Sequence, residues 1–342
     1  MDLTERKKAI LSAIIQSYIS TGEPVGSKML CTILEHAPSS ATLRNEMSAL
    51  CEMGFLEMPH TSAGRVPTAA GYRLYAESLM GNTEVSLENK QIIDEALNNS
   101  NCDPECLPEY ASQVLSDITG LPALNAKMPY DGITVKRIEL LPMGARAALL
   151  ILITSDGRSR SRLVGTGFTV SADVITAFDT SVTARLIGTG LNSITPAFMQ
   201  NLMADVALNI KLMPLISTAY NMVEELNNCP VSLKGAANLH SICSSQRDVE
   251  QVLSIINSKE NLMSLLALHS KPFGIIFGND TGFNALKPSN IIFARYGVGG
   301  NAGCIGVIGP NRMSYEQIIP SIKYTALRMN SLICNTLKDM ED

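Results

Sequence analysis

Between residues 39 and 45 the chain carries a group of hydrogen-bonding side chains spaced as at one end of a helix. The guanidinium of Arg44 can bind guanine, and the amide of Asn45 can bind adenine, through paired hydrogen bonds in the major groove of DNA. The hydroxyls of Ser39, Ser40 and Thr42 are close in sequence and can bind base edges or phosphate oxygens. This stretch is therefore the first candidate for contact with a DNA duplex.

A second candidate follows a few residues later. Residues 58–76 include Arg65 and Arg73 and contain no Asp or Glu, so they are locally positive. The polar turn before Arg65 adds three more candidate contacts, His60, Thr61 and Ser62. A turn of Ser, Thr, Gly and Arg can lie along phosphates or enter the minor groove.

The hydrophobic pattern predicts the helices that present these side chains. Ile10, Ile14 and Tyr18 share one helical stripe, and Asp2 and Glu5 have the spacing of a capping box. We therefore expect a first helix that packs in the core of the N-terminal unit and does not read DNA itself.

Two shorter helices are predicted next, the first from Ser27 and the second from the Ser39–Ser40 turn to about Met53. A short strand, the polar turn, a return strand and a fourth helix follow. This order predicts a winged helix-turn-helix over residues 1–80, whose third helix enters the major groove. Ser27 and Lys28 begin the helix before it and complete the predicted DNA contacts.

The remaining residues mix helices and strands without strict alternation, which indicates an α+β arrangement. Residues 81–108 are predicted to be a helical linker with a loosely ordered end. Three strands are predicted within 134–164 and three more, belonging to one sheet, within 271–308. The fold class is therefore α+β and multidomain, with the winged helix-turn-helix first.

Length and composition bound the function classes. The chain has 342 residues, 46% of them hydrophobic, which suits two or three folded domains. Its net charge of -5 is unusual for a DNA-binding protein, and residues 1–80 are close to neutral. Two copies acting together would then be needed for high affinity. The charged N-terminus does not resemble a signal peptide, so we expect a cytoplasmic protein with no membrane segment.

Catalytic and cofactor patterns are weak. The four His residues are scattered, and the eight Cys residues have no metal-site spacing. The glycine-rich run at 297–303 lacks the spacing and the following Lys that nucleotide loops need, so a hairpin between strands is the better interpretation. We predict no enzyme activity, no metal and no cofactor.

Several longer motifs are similar to those of the HrcA family of heat-inducible repressors. These are GEPVGSK at 22–28, SATLRNEM at 40–47, PHTSAGRVP at 59–67, and the segment 303–315 with IGVIGP and then Arg312-Met313. The sequence departs from the usual family pattern at Asn279-Asp280, and residues 169–245 match only loosely.

This resemblance implies a homodimer that represses chaperone operons by binding an inverted-repeat operator, and whose active form the chaperonin maintains. It also implies a GAF-like domain interrupted by an inserted dimerising domain. We assign the GAF-like domain to 109–168 and 246–342, and the inserted domain to 169–245. On this view the bound protein is associated with the bacterial nucleoid.

Two hypotheses follow. In the first, the protein is an operator-binding repressor whose activity depends on its folding state. In the alternative, it is a small-molecule-sensing regulator that uses a pocket in the GAF-like domain.

Overall fold

A computed structural model gives the fold of most of the chain. It describes residues 3–34, 36–60, 64–81, 83–99, 106–127, 132–205, 210–227, 231–243, 245–267, 269, 271–297 and 303–339. Of the helices in these ranges, none combines the length and the apolar run that crossing a bilayer requires.

The N-terminal unit consists of three helices, a two-stranded hairpin and a fourth helix that continues into a π-helical turn. The elements are α1 Glu5–Thr21, α2 Ser27–Ile33, α3 Ser40–Glu52, β1 Leu56–Glu57, β2 Val66–Pro67, α4 Ala69–Leu74 and the π turn Tyr75–Leu79. This order is that of a winged helix-turn-helix, as the sequence predicts.

Local sequence explains where α1 begins and ends. The side chain of Thr4 caps it by accepting a hydrogen bond from the Lys7 backbone N–H, a role that we had predicted for Asp2, which lies outside the described residues. Gly22 ends the helix with a positive φ of 76°, a conformation that glycine adopts without steric cost.

The remaining elements are α5 Leu87–Asn98, α6 Leu107–Thr119, β3 Ala123–Lys127, β4 Val135–Gly144, β5 Ala147–Thr154, β6 Ser159–Gly165, α7 Ala172–Phe178, α8 Ala184–Leu186, α9 Pro196–Asp205, α10 Met213–Asn227, β7 Val231–Lys234, α11 Gln246–Asn257, α12 Lys259–Ala267, β8 Phe273–Phe277, β9 Ser289–Tyr296, β10 Gly303–Pro310 and α13 Tyr315–Asp339. Helix α5 lies within the predicted linker and packs against α6 and α13. The linker is therefore part of the packed structure between 87 and 98. Residues 100–105 lie outside the described part of the chain, so its loosely ordered end stays a prediction.

The second unit is built on a five-stranded antiparallel sheet with the strand order β7-β3-β10-β9-β8. Both faces of this sheet are covered. Ile292 and Val307 contribute to a core with α6 and α13, whereas Ile291 and Ile308 contribute to a core with α11 and α12. The strands are apolar on both faces for this reason. The prediction that the three strands within 271–308 share one sheet is confirmed.

The glycine-rich run connects two neighbouring strands of this sheet. Gly303 pairs with Tyr296 at the end of the antiparallel ladder between β9 and β10. This register agrees with the hairpin that the sequence predicts, although residues 298–302 lie outside the described part of the chain.

An inserted unit separates β3 from β7 along the chain. Strands β4, β5 and β6 form a three-stranded antiparallel sheet of their own, and helices α7, α9 and α10 cover one face of it. Its apolar core is distinct from those of the five-stranded sheet and includes residues from Ile133 to Leu226.

This arrangement corrects the predicted boundaries. Strands β4 to β6, which we assigned to the GAF-like part at 109–168, belong to the inserted unit. Strand β7, which we assigned to the insertion at 169–245, pairs with β3 in the five-stranded sheet. The error arose because local patterns identify strands, whereas sheet membership depends on pairing between residues far apart in sequence.

The N-terminal unit does not stand apart from the rest of the chain. One contiguous cluster of buried side chains contains Leu11 of α1, Tyr75 of the π turn, Ile93 of α5 and Ile322 of α13. The winged helix, the linker helix and the five-stranded sheet therefore share a core, and this fixes the orientation of the winged helix.

Candidate nucleic-acid interface

Several residues at the start of α3 are accessible to solvent. Ala41, Arg44 and Asn45 are exposed. Within the described part of the chain, the side chains of Arg44 and Asn45 form no hydrogen bond or ion pair, so their donors and acceptors are available. Leu43, Met47 and Leu50, on the other face of the helix, are buried and anchor it to the core.

Two hydroxyl groups determine how α3 begins. The Ser39 side chain accepts a hydrogen bond from the Thr42 backbone N–H, at 3.2 Å, and lies 3.0 Å from the Thr42 hydroxyl. This is the capping arrangement that Ser favours at a helix N-terminus. Both residues thus help to fix the helix end, and Ser39 is in addition exposed.

The start of α2 is tied to the start of α3. The hydroxyls of Ser27 and Ser40 are 3.0 Å apart and hydrogen-bonded. Ser27 is buried, so it supports the surface from behind, and the structure does not offer it for the direct contact that we predicted. Lys28 is exposed beside it and supplies a positive charge at this edge.

The wing crosses the loop between α1 and α2. The backbone of Arg65 exchanges two hydrogen bonds of 2.9 Å with Val25. A Cβ on the adjacent Gly64 would lie 2.5 Å from the Val25 carbonyl, so only glycine permits this approach. His60 is exposed on the other side of the turn, while Thr61 and Ser62 fall outside the described residues.

An ion-pair cluster compensates Glu46, one of the two acidic residues of α3. Lys7 Nζ lies 2.7 Å from Glu46 Oε2, and Arg6 Nη1 lies 3.9 Å from Glu46 Oε1. The carboxylate is thus held towards α1 and its charge is partly neutralised. The basic run at residues 6–8 is visible in the sequence, but its pairing with Glu46 depends on the fold and could not be predicted from it.

Arg73 lies at the contact between the winged helix and the five-stranded sheet unit. Its guanidinium forms an ion pair with Asp280 and stacks over the ring of Phe277, with 4.4 Å between Cζ and the ring centroid. Its side chain is 40% exposed and that of Asp280 is 50% exposed. The structure thus gives Arg73 partners within the protein, away from the cluster of Arg44 and Asn45.

A second polar contact joins the same two units. Tyr75 Oη donates a hydrogen bond of 2.6 Å to Glu316 Oε1 at the start of α13, and Gln16 Nε2 donates one of 2.7 Å to the same oxygen. Burial raises the pKa of Tyr75 above its ordinary value, and the hydrogen bond to Glu316 adds to the rise. The phenol therefore stays protonated and remains a donor to Glu316.

Aromatic rings surround this contact. The ring of Tyr315 lies 6.1 Å from that of Tyr72 and 6.5 Å from that of Tyr75, measured between centroids. Burial raises the pKa of Tyr72 and of Tyr315 as well. Sequence analysis assigned these tyrosines no role, because their partners are about 240 residues away in the chain.

The described residues contain no group of three or more His, Cys, Asp or Glu side chains placed to hold a metal ion. The helix end, the wing and the contacts between units do not resemble a catalytic arrangement of nucleophile, base and orienting group.

Comparison with known proteins agrees with this geometry. Residues 2–79 match the family model for the "Winged helix-turn-helix transcription repressor, HrcA DNA-binding" domain, and residues 107–319 match the "HrcA protein C terminal domain". The heat-inducible transcription repressor HrcA of Acetivibrio thermocellus is 31% identical over 337 residues, with 96% of each chain covered. The protein of the same name from Clostridium botulinum strain Eklund 17B is 31% identical over 352 residues, with 99% of this chain and 100% of that one covered.

A solved structure supports the fold across the whole chain. A crystal structure described as that of a hypothetical protein at 2.2 Å resolution superposes with a TM-score of 0.66 at 20% identity, covering 98% of this chain and 100% of the other. The relatives are repressors and do not favour the ligand-sensing alternative. The chain belongs to the HrcA family of heat-inducible transcription repressors, and it is a DNA-binding repressor of heat-shock genes and not an enzyme.

Proposed function

We propose that this repressor binds an inverted-repeat operator upstream of chaperone operons as a homodimer, with one α3 helix in each of two major-groove half-sites. The observation that carries the proposal is the exposed, unpartnered pair Arg44 and Asn45 at the start of a well-anchored helix. In helix-turn-helix proteins the N-terminal residues of the recognition helix reach the base edges.

The contacts divide by chemistry. Arg44 and Asn45 would read bases, since their paired donors and acceptors fit guanine and adenine. Ser39, Ser40, Thr42 and Lys28 would bind phosphates around the helix end, where the helix dipole favours negative charge. The wing residues His60, Thr61, Ser62 and Arg65 would lie along the adjacent backbone or minor groove.

The inserted unit supplies a surface for the second copy. Leu141, Leu149 and Leu163 are direct cross-strand neighbours in β4, β5 and β6, and they form an apolar row on the face of this sheet away from its helices. Leu163 is 67% exposed. An apolar sheet face of this kind favours burial against another protein, and a two-fold dimer matches the symmetry of an inverted repeat.

The shared core supports a link between heat and repression. Because α1 and the π turn pack on α13, loosening of the C-terminal unit removes part of the packing that holds the winged helix. A marginally stable repressor loses its binding-competent fraction over a small rise in temperature. A chaperonin that refolds the inactive fraction would then couple repression to the supply of chaperones in the bacterial cytoplasm, with the active protein on the nucleoid.

A gel-shift titration tests the proposal. The full chain is titrated against an inverted-repeat operator and against the same base pairs scrambled, before and after mild heating. We expect preferential binding to the inverted repeat, loss on heating, and recovery when chaperonin and ATP are added. Equal affinity for both duplexes would refute sequence-specific binding, and a lack of recovery with chaperonin would refute only the proposed link to folding.

A further inference from the structure

Polar contacts hold the winged helix to the five-stranded sheet unit in addition to the shared apolar core. The Arg312 guanidinium lies 5.7 Å from the ring centroid of Tyr18, and two further contacts involve hydrogen-bonded charged groups. One is the Arg73 guanidinium between Asp280 and Phe277. The other is the Glu316 carboxylate between Tyr75 and Gln16. Apolar contacts alone tolerate sliding, whereas hydrogen bonds and ion pairs have directional requirements that select one orientation.

These contacts leave the DNA-reading surface open. They involve α1, α4 and the π turn, whereas Arg44 and Asn45 of α3 remain exposed. The docked arrangement is therefore compatible with DNA binding. It also fixes where α3 points relative to the five-stranded sheet unit, into which the proposed dimerising unit is inserted.

Orientation matters for an inverted repeat. Two recognition helices bind strongly at once only if their separation and rotation match those of the half-sites, which lie about 34–36 Å apart for each helical turn of DNA. If the winged helix rotated freely on the rest of the protein, only a fraction of its orientations would allow the second α3 helix to reach its half-site. Binding to both half-sites at once would then be weaker.

We propose that Arg73 and Glu316 are positioning residues for operator binding, which dock the winged helix on the sheet unit and so set the spacing of the two α3 helices. In this role Arg73 acts through Asp280 and does not touch DNA. The proposal rests on the proposed dimeric binding of an inverted repeat.

The acidic partner provides the sharpest test. If Arg73 bound phosphate, removing the nearby negative charge of Asp280 would leave DNA affinity unchanged or raise it. If Arg73 is a positioning residue, Asp280→Ala also weakens operator binding, although less than Arg73→Ala does, because it removes the ion pair and leaves the guanidinium on Phe277. A half-exposed ion pair together with a stacked ring shifts the equilibrium between the docked and the undocked winged helix by about fivefold.

The experiment measures operator affinity by fluorescence anisotropy for the wild type, Arg73→Ala, Asp280→Ala and the charge swap Arg73→Glu with Asp280→Arg. Each protein is titrated at several salt concentrations, on an operator of natural spacing and on one lengthened by half a helical turn. Thermal melting of each variant checks that it is folded. We expect the variants to fold, because the side chains of Arg73 and Asp280 are about half exposed and their replacement leaves no cavity in the core.

We expect Arg73→Ala to bind the natural operator about fivefold more weakly, Asp280→Ala to show a smaller loss, and both to discriminate less between the two spacings. The charge swap should recover the part of the affinity that the ion pair supplies, because it restores the opposite charges but not the stack on Phe277. The salt slope should stay unchanged, since no phosphate contact is lost, whereas a lost phosphate contact lowers it by about 0.9 per subunit.

The proposal is overturned if Asp280→Ala binds as well as the wild type, or if Arg73→Ala lowers the salt slope and the swap gives no recovery. Either outcome leaves the proposed function standing, provided that the wild type prefers the inverted repeat to scrambled DNA. A wild type with no such preference would refute the proposed function itself.

The Glu316 contact gives an independent arm. Glu316→Ala leaves the buried Tyr75 hydroxyl without its acceptor, so spacing discrimination should fall as in the Arg73 variant. Glu316→Gln keeps an acceptor oxygen for Tyr75 and serves as the conservative control, with most of the discrimination retained. Full discrimination in Glu316→Ala would show that this contact does not position the winged helix.

Discussion

Replacing Ile322 by alanine tests whether the DNA-binding unit depends on the stability of the C-terminal unit. Ile322 lies on α13 and is fully buried in the cluster that also contains Leu11 and Tyr75 of the winged helix. It belongs to no element that we expect to contact DNA. Any effect on operator binding at elevated temperature must therefore pass through the shared core.

The magnitude follows from the cavity that the substitution leaves. Truncating a fully buried Ile to Ala costs about 2–5 kcal/mol of unfolding free energy. The entropy of unfolding is about 2.1 cal/mol/K per residue, so for a chain of 342 residues this cost lowers the melting temperature by about 3–7 °C. We expect the temperature at which operator binding is lost to fall by the same amount.

The assay follows melting by calorimetry and operator binding by anisotropy over the same temperature range. Leu327→Ala is a matched control, because Leu327 lies on the same helix with 63% of its side chain exposed and should cause almost no shift. If Ile322→Ala lowers the melting temperature while binding is lost at the wild-type temperature, the winged helix folds independently and the reasoning is wrong.

Three further predictions concern the surface and the assembly. Arg44→Ala should cost about 1–3 kcal/mol on the operator and much less on scrambled DNA, because it removes a base contact; equal losses in anisotropy titrations would assign Arg44 to phosphate. Ser39→Ala removes the cap of α3 and should lower the unfolding free energy in urea by about 1 kcal/mol; an unchanged urea midpoint would contradict that role. Leu163→Asp places a charge in the apolar row of the inserted unit and should shift the protein towards monomer in sedimentation, whereas Thr180→Asp, at an exposed position of the same unit, should not. A Leu163→Asp protein that remains dimeric would exclude this face as the interface.

Local features could be predicted from the sequence. The helix predicted from the Ser39–Ser40 turn to about Met53 matches α3, Ser40–Glu52, to within a residue or two. Strands β5 and β6 were predicted with similar success, because alternation and turn residues act over short distances.

Long-range features could not be predicted. The strands within 134–164 were recognised, but the sheet to which they belong depends on pairing, so they were assigned to the wrong domain. The partner of Arg73 could not be recognised either, because Asp280 lies 207 residues away in the chain. The first-turn cap was misassigned to Asp2 because Thr4, which performs it, has similar chemistry.

The central claim is that α3 enters the major groove of each operator half-site. A photoreactive amino acid placed at the exposed position 41 of α3 tests this most directly, with the same group at the exposed position 327 of α13 as the control. We predict cross-links from position 41 to bases at two symmetry-related sites, one in each half of the inverted repeat, and none from position 327. Cross-links that fall outside the half-sites, or that form equally from both positions, would contradict the account.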